Sequence, residues 1–135
     1  MEIIMRPIGY IHSEYTEENR PPRQSILNLD KSAVIEILEE FKESTLGLEK
    51  GEHIVVIFNF HKSKGFKQRI YPHGSEVLKG VFATRSPNRP NPIGMSICEI
   101  LEINERMIKI RGVDMLDKTP VLDIKPYSPG LSPAI

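Results

Sequence analysis

The sequence predicts a mostly β protein, a barrel or a sandwich with little helix. Two general observations carry that reading: short runs rich in β-branched and aromatic residues, and turn signals recurring between them. A third is local. Ile108 and Ile110 alternate with Lys109 and Arg111, the period-two pattern of a strand with one solvated face. Taken in order, residues 3–12 read as a first strand, and residues 13–30, with Asn19, Pro21 and Pro22, as a long loop. Segment 33–41 fits either a helical stripe or a strand; a short strand passing into a helical turn that Gly47 ends suits it best. His53 to His61 is a dense apolar strand, expected to be buried on both faces, and a basic loop follows to Ser75. Val77 to Ala83 is a further strand. Ser96–Ile103 and Arg106–Val113 form a hairpin about Asn104-Glu105, and Val121–Ile124 is a last strand before a proline-rich tail.

The chain's 135 residues predict one domain, residues 1–135. The longest unbroken apolar run, Ile54 to Phe58, is far short of a membrane span, and "MEIIMRPIGYIHS" does not read as a signal peptide. The one cysteine, Cys98, cannot form an internal disulfide and predicts a reduced, cytoplasmic protein whose thiol fills the core. A net charge of zero hides an asymmetry. From His53 to Cys98 the only acid is Glu76, against seven bases: Lys62, Lys64, Lys67, Arg69, Lys79, Arg85 and Arg89. Such polarity suits an anionic partner at one site, or simply a solvated basic loop.

Several chemistries are excluded by motif. The sequence has no GxxxxGK[ST] phosphate loop, no GxGxxG after a strand, no HExxH, no paired-cysteine spacing and no GxSxG elbow. His53 and His61 lie roughly 26 Å apart along one strand, so they cannot share a metal within it, and no metal is expected. Four polar groups remain: Pro22-Arg23-Gln24; His61-Lys62; "TRSPNRPNPIG", residues 84–94; and "GVDMLDKTPVLDIKPY", residues 112–127. Each has a plain structural reading. Arg23 suits a surface pair, His61 a satisfied strand-end histidine, and Asp114 and Asp117 the capping of a turn before Thr119-Pro120. The third group is harder to explain as a connection, because three prolines exclude helix and central strand while two arginines and two asparagines are held among them.

The order "PRQ", "VIFNFHKS", "GVFATRSPNRPNPIGMS", "GVDMLDKTPVLDIKPY", from about Pro7 to Pro126, resembles the TsaA-like or TrmO family of S-adenosylmethionine-dependent tRNA methyltransferases. The resemblance implies a single-sheeted antiparallel β-barrel with short helical segments. It also implies a homodimer that methylates N6 of threonylcarbamoyl-adenosine in the tRNA anticodon loop. Cofactor contacts carried over by the motifs are Pro22, Arg23, Gln24, His61, Lys62, Arg85, Met95, Asp114, Met115, Leu116 and Asp117. Lys62 departs from the glutamine common there. The sequence also stops eight residues after Tyr127, whereas longer members continue into a C-terminal region.

These residue types suit methyl transfer, which needs alignment of donor and acceptor and exclusion of water rather than a covalent nucleophile. Arg85 or Arg23 offers a fork for the cofactor carboxylate. An aspartate near Asp114–Asp117 can balance its ammonium or bond the ribose, and backbone groups after Val113 can read adenine. Asn91-Pro92 offers an acceptor for the N6–H of the substrate, held in place in advance by the prolines. Arg89, or a basic residue in 62–69, faces the threonyl carboxylate, and Tyr127 is a candidate to stack on a base. Two rivals stand beside this reading: a methyltransferase of the same fold with another nucleobase or small-molecule acceptor, and a non-catalytic S-adenosylmethionine-binding module.

Overall fold

A computed structural model describes residues 1–18, 31–128 and 130. Period-two alternation builds its strands: β1 (Gly9–His12), β2 (Ser32–Ile37), β3 (His53–Asn59), β4 (Arg69–Ile70), β5 (Lys79–Gly80), β6 (Ile93–Asn104), β7 (Met107–Arg111) and β8 (Pro120–Pro126). Ile11, Ala33, Ile35, Ile37, Ile54, Val56, Phe58, Cys98, Ile100, Ile108, Ile110 and Val121 point inward and form one buried cluster, while their neighbours along each strand are more exposed. Burying each isoleucine contributes about 1.5–3 kcal/mol. The pairings are antiparallel and run β1–β2–β7–β6–β3–β8 and back to β1, a closed barrel, with β4 and β5 forming a separate two-stranded sheet. Among the described residues, helix is limited to two 3₁₀ segments, Glu39–Thr45 and Val81–Ala83. The expectation of a mostly β, antiparallel architecture with little helix therefore holds.

Gly94 shows how tightly the wall is packed. It pairs with Phe58, and a Cβ added there would strike the rings of both Phe58 and Phe60, which meet edge to face at 5.1 Å. The hairpin turn falls where the sequence places it: Asn104 pairs with Met107, and Glu105 takes the left-handed conformation at φ 55. Segment 33–41 resolves as strand then 3₁₀ turn, and Gly47, at φ 96, follows it.

Three element boundaries and one burial pattern differ from expectation. The first strand is confined to Gly9–His12, because Pro7 has no amide to donate and residues 1–6 stay exposed. β3 is buried on one face only; Val55 and Ile57 are half-buried on the other. The strand expected over 77–83 shrinks to Lys79–Gly80 before a 3₁₀ turn. β6 begins at Ile93, directly after Pro92, so the prolines end where the ladder first needs donors.

Register divides the barrel into two rims. The ends of β1, β3 and β7 and the starts of β2, β6 and β8 lie at one rim, as the pairs His12–Val34, Asn59–Ile93, Ser32–Arg111 and Phe58–Val121 require. The 60–92 connection and the turn before β8 both spring from this rim. So do the flanks of the 19–30 segment.

Candidate active site

Three of the four sequence-predicted groups meet at that rim. Phe60 N donates to Pro92 O at 2.7 Å, and Asn59 Nδ2 reaches the same carbonyl at 3.4 Å, which sets Asn91-Pro92 beside the end of β3. His61, one residue on, has its ring against the backbone of Asn59 and Asp117, joining β3 to the turn before β8. Its pKa lies below the usual histidine value, chiefly because burial disfavours the charged ring and secondarily because Lys62 repels it. Glu17 and the two backbone contacts pull the other way.

The proline-rich stretch is held by its own short polar side chains. Thr84 Oγ1 donates to Val81 O at 2.8 Å and accepts from Ser86 N at 3.2 Å; Ser86 Oγ accepts from Asn88 N at 3.1 Å. Arg89 folds back, its Nη1 donating to Thr84 O at 2.8 Å and Ser86 O at 3.2 Å. That nitrogen closes the loop instead of facing outward. Asn91 O accepts from Ile93 N at 2.7 Å, so both carbonyls of Asn91-Pro92 serve the backbone. The side chains of Arg85 and Asn91 are exposed and make no hydrogen bond or ion pair. The stiff stretch thus presents two exposed, unspent polar heads, beside the half-buried amide of Asn88, on a scaffold that bonds to itself.

The 113–119 turn is equally constrained. Ser13 N donates to Asp117 Oδ1 at 3.0 Å, Ser13 Oγ donates to Met115 O at 3.0 Å, and Asp117 N donates to Tyr15 O at 2.7 Å. Thr119 Oγ1 donates to Leu116 O at 2.7 Å. The carbonyls of Met115 and Leu116 are therefore occupied, while their amide protons make no hydrogen bond, and the Met115 side chain is part of the core. Ser96, buried in β6, donates to Asp114 Oδ1 at 2.5 Å and fixes that carboxylate. Cys98, two residues further, bonds Gly112 O, and burial, then the Asp114 charge, push its thiol up to about 12. It is core filler.

Ser96 and Ser13 were not singled out from the sequence. Ser96 carried a usable signal: it stands in the inward period of a strand, among Gly94, Cys98 and Ile100, where a hydroxyl needs a partner. Ser13 carried none, because Asp117 and Met115, which join it to the site, lie more than a hundred residues away, and its one local contact is the hydrogen bond that its Oγ accepts from Tyr15 N at 3.1 Å. Two candidates fall elsewhere. Met95 alternates with Ser96 and points out of the barrel, exposed, opposite Ile57. Tyr127 N donates to His53 O at the start of β3, at the far rim, about 23 Å along the strand from Phe60. Pro22, Arg23 and Gln24 lie outside the described residues.

The donor set at this rim fits a zwitterionic nucleoside cofactor. An unpaired guanidinium suits a carboxylate, fixed carboxylates suit hydroxyls or an ammonium, and free amides suit a base edge. A barrel with such a rim, rather than a Rossmann sheet, defines the class, and residues 10–132 match the model of the tRNA-methyltransferase O N-terminal domain. The chain belongs to that family. Among particular relatives, it is 41% identical over 127 residues to an S-adenosyl-L-methionine-binding protein of Archaeoglobus fulgidus, covering 94% of this chain and 91% of that one. It is 36% identical over 132 residues to the human tRNA (adenine(37)-N6)-methyltransferase, covering 93% of this chain and 30% of the human protein. A crystal structure of TrmO superposes with a TM-score of 0.85 at 36% identity, covering 99% of this chain and 61% of that one.

Proposed function

We propose that this chain is an S-adenosylmethionine-dependent methyltransferase whose acceptor is N6 of threonylcarbamoyl-adenosine in a tRNA anticodon loop. The observation that carries the reading is the pair of unspent side chains, Arg85 and Asn91, on a self-bonded proline scaffold beside the fixed Asp114–Asp117 turn. The mammalian relative's name supplies the acceptor class.

The bound cofactor would supply a methyl group already activated on a sulfonium. Arg85 holds the cofactor carboxylate, Asp114 and Asp117 its ammonium and ribose, and the amides of Met115 and Leu116 its adenine. His61, Lys62 and the Pro22-Arg23-Gln24 segment complete the pocket, while Met95, which points out of the barrel, would reach a cofactor only at a face shared with a second copy. Asn91 Oδ1 accepts the hydrogen bond of the acceptor N6–H and turns the nitrogen lone pair toward the methyl, with the proton passing to solvent. Arg89 Nη1 braces the loop, and its remaining N–H groups face the threonyl carboxylate.

The homodimer is part of this proposal. Ile57 opposite Met95 and Val55 opposite Ile97 make an outward apolar stripe on β3 and β6, which a second copy would cover. A part for Tyr127 at this rim requires that second copy, because within one chain it sits at the other end. A reduced, cytoplasmic setting suits the buried Cys98 thiol.

The Archaeoglobus relative's name favours a second reading, a module that binds the cofactor without transferring its methyl. Calorimetric titration of S-adenosylmethionine into wild type and Arg85→Ala, followed by single-turnover methylation of tRNA with and without the threonylcarbamoyl group, separates the readings. Saturable binding lost in the variant, and turnover only on modified tRNA, supports the proposal. Binding without turnover leaves the module, and turnover on unmodified RNA reassigns the acceptor.

A further inference from the structure

The 60–92 connection carries an arm that the cofactor site does not use. Within it, β4 and β5 pair as a small sheet standing apart from the barrel. Three aromatic side chains here are exposed instead of packed: Phe66 at 46%, Tyr71 at 62% and Phe82 at 79%. Interleaved with them are Lys64, Lys67, Arg69 and Lys79, all exposed, and the only acid in the arm is Glu76. Exposed aromatic rings among unpaired cations are the two components of single-stranded nucleic-acid binding, stacking and phosphate neutralisation.

The arm is also fixed to the loop that bears Arg85 and Asn91. Lys67 N donates to Asn88 O at 3.0 Å, Ser63 Oγ donates to Pro87 O at 2.9 Å, and Val81 N donates to Gln68 O at 3.0 Å. A strand of RNA lying on the arm would therefore be held in register with the acceptor site, not merely near it.

We propose that this arm is the platform on which the unpaired bases flanking the target adenosine stack. Phe66, Tyr71 and Phe82 take base faces, while Lys67, Arg69 and Lys79 follow the phosphates. The inference rests on the RNA reading above and adds the surface that grips the loop. Charge decides between RNA and a second copy of this chain as occupant. Six of the seven bases between His53 and Cys98 are balanced by no acid there, which suits a polyanion and opposes self-pairing of the same surface.

The test is fluorescence anisotropy of a labelled anticodon stem-loop RNA on the full chain, wild type against Phe66→Ala, Tyr71→Ala, Phe82→Ala and Phe82→Leu. Cofactor titration and sedimentation velocity are run on each. Each alanine variant should bind RNA about 5- to 100-fold more weakly with cofactor affinity unchanged. Phe82→Leu should resemble Phe82→Ala, because an aliphatic side chain keeps apolar area but cannot stack. Lys67→Ala should lower the salt slope by about 0.7. Equal RNA binding by wild type and variants overturns the arm alone. No RNA binding by wild type overturns the acceptor class with it. Variants that lose self-association, with Phe82→Leu retaining it, assign the arm to a second copy of the chain and overturn the proposal.

Discussion

The barrel wall and the arm that leaves it are built on opposite principles. In the wall, seven consecutive residues of β3 pair with β6, and Ile54, Val56 and Phe58 are almost wholly removed from water. In the arm, two pairs of residues make the whole ladder, and its rings lie in solvent. The wall owes its order to apolar burial. The proline stretch beside the arm owes its order to fixed φ angles and to hydroxyl and guanidinium groups bonding nearby backbone. Rigidity obtained without a core leaves polar side chains free to meet a ligand, so stability and chemistry can be perturbed separately. The largest expected effect tests the wall: Ile54→Ala should destabilise the chain by about 2–5 kcal/mol in chemical denaturation. A loss under 1 kcal/mol would show that the wall does not carry the stability its burial implies.

The next effect tests the other side of the contrast. Asn91→Ala should lower methyl transfer by about 100-fold or more, the usual cost of removing a positioned proton-handling group, with the denaturation midpoint and cofactor affinity unchanged. Turnover at the wild-type rate would remove Asn91 from the chemistry. A fall in stability to match that of Ile54→Ala would make the stretch structural and dissolve the distinction. A smaller effect is expected at Ser96, where the two regions meet. Ser96→Ala removes the hydroxyl that donates to Asp114, a hydrogen bond to a charged group that contributes about 1.5–3 kcal/mol, while Ser96→Thr should restore it. Calorimetry should show weaker cofactor binding in the first variant and recovery in the second; equal weakening in both would point to packing instead.

The same contrast explains what was legible in the sequence. The wall was readable because inward residues recur with period two, and the turn at Glu105 because a two-residue hairpin loop has its own chemistry. β4 was not readable, since two residues have no period, and neither was the half-exposure of Val55 and Ile57, which depends on what lies outside the barrel. At the site, the stiffness of residues 84–94 followed from proline alone. That Arg89 Nη1 is spent on Thr84 and Ser86 did not, because a guanidinium's partner is set by how the loop closes. Tyr127 shows the same limit. Its motif neighbours reach the rim, but β8 runs antiparallel to β3 and carries it to the other end.

The smallest effect concerns Lys62, and it acts through His61. Burial lowers the His61 pKa first and the Lys62 charge second, against the opposing pull of Glu17 and the backbone of Asn59 and Asp117. The folded chain therefore takes up the His61 proton at lower pH than the unfolded chain, whose histidine titrates near 6.5. Between those two values the unfolded state binds more protons, so stability rises with pH through that window, and the contribution is lost as pH falls below about 6.5. Lys62→Gln removes the second cause and leaves the first. In an NMR titration, the His61 imidazole signal should move to a higher midpoint, still below the ordinary value, and the loss of stability on acidification should shrink. Glu17→Gln should move the midpoint the other way. If Lys62→Gln leaves the midpoint where it was, burial is what lowers the His61 pKa against Glu17 and the backbone, and the lysine has no electrostatic consequence at this rim.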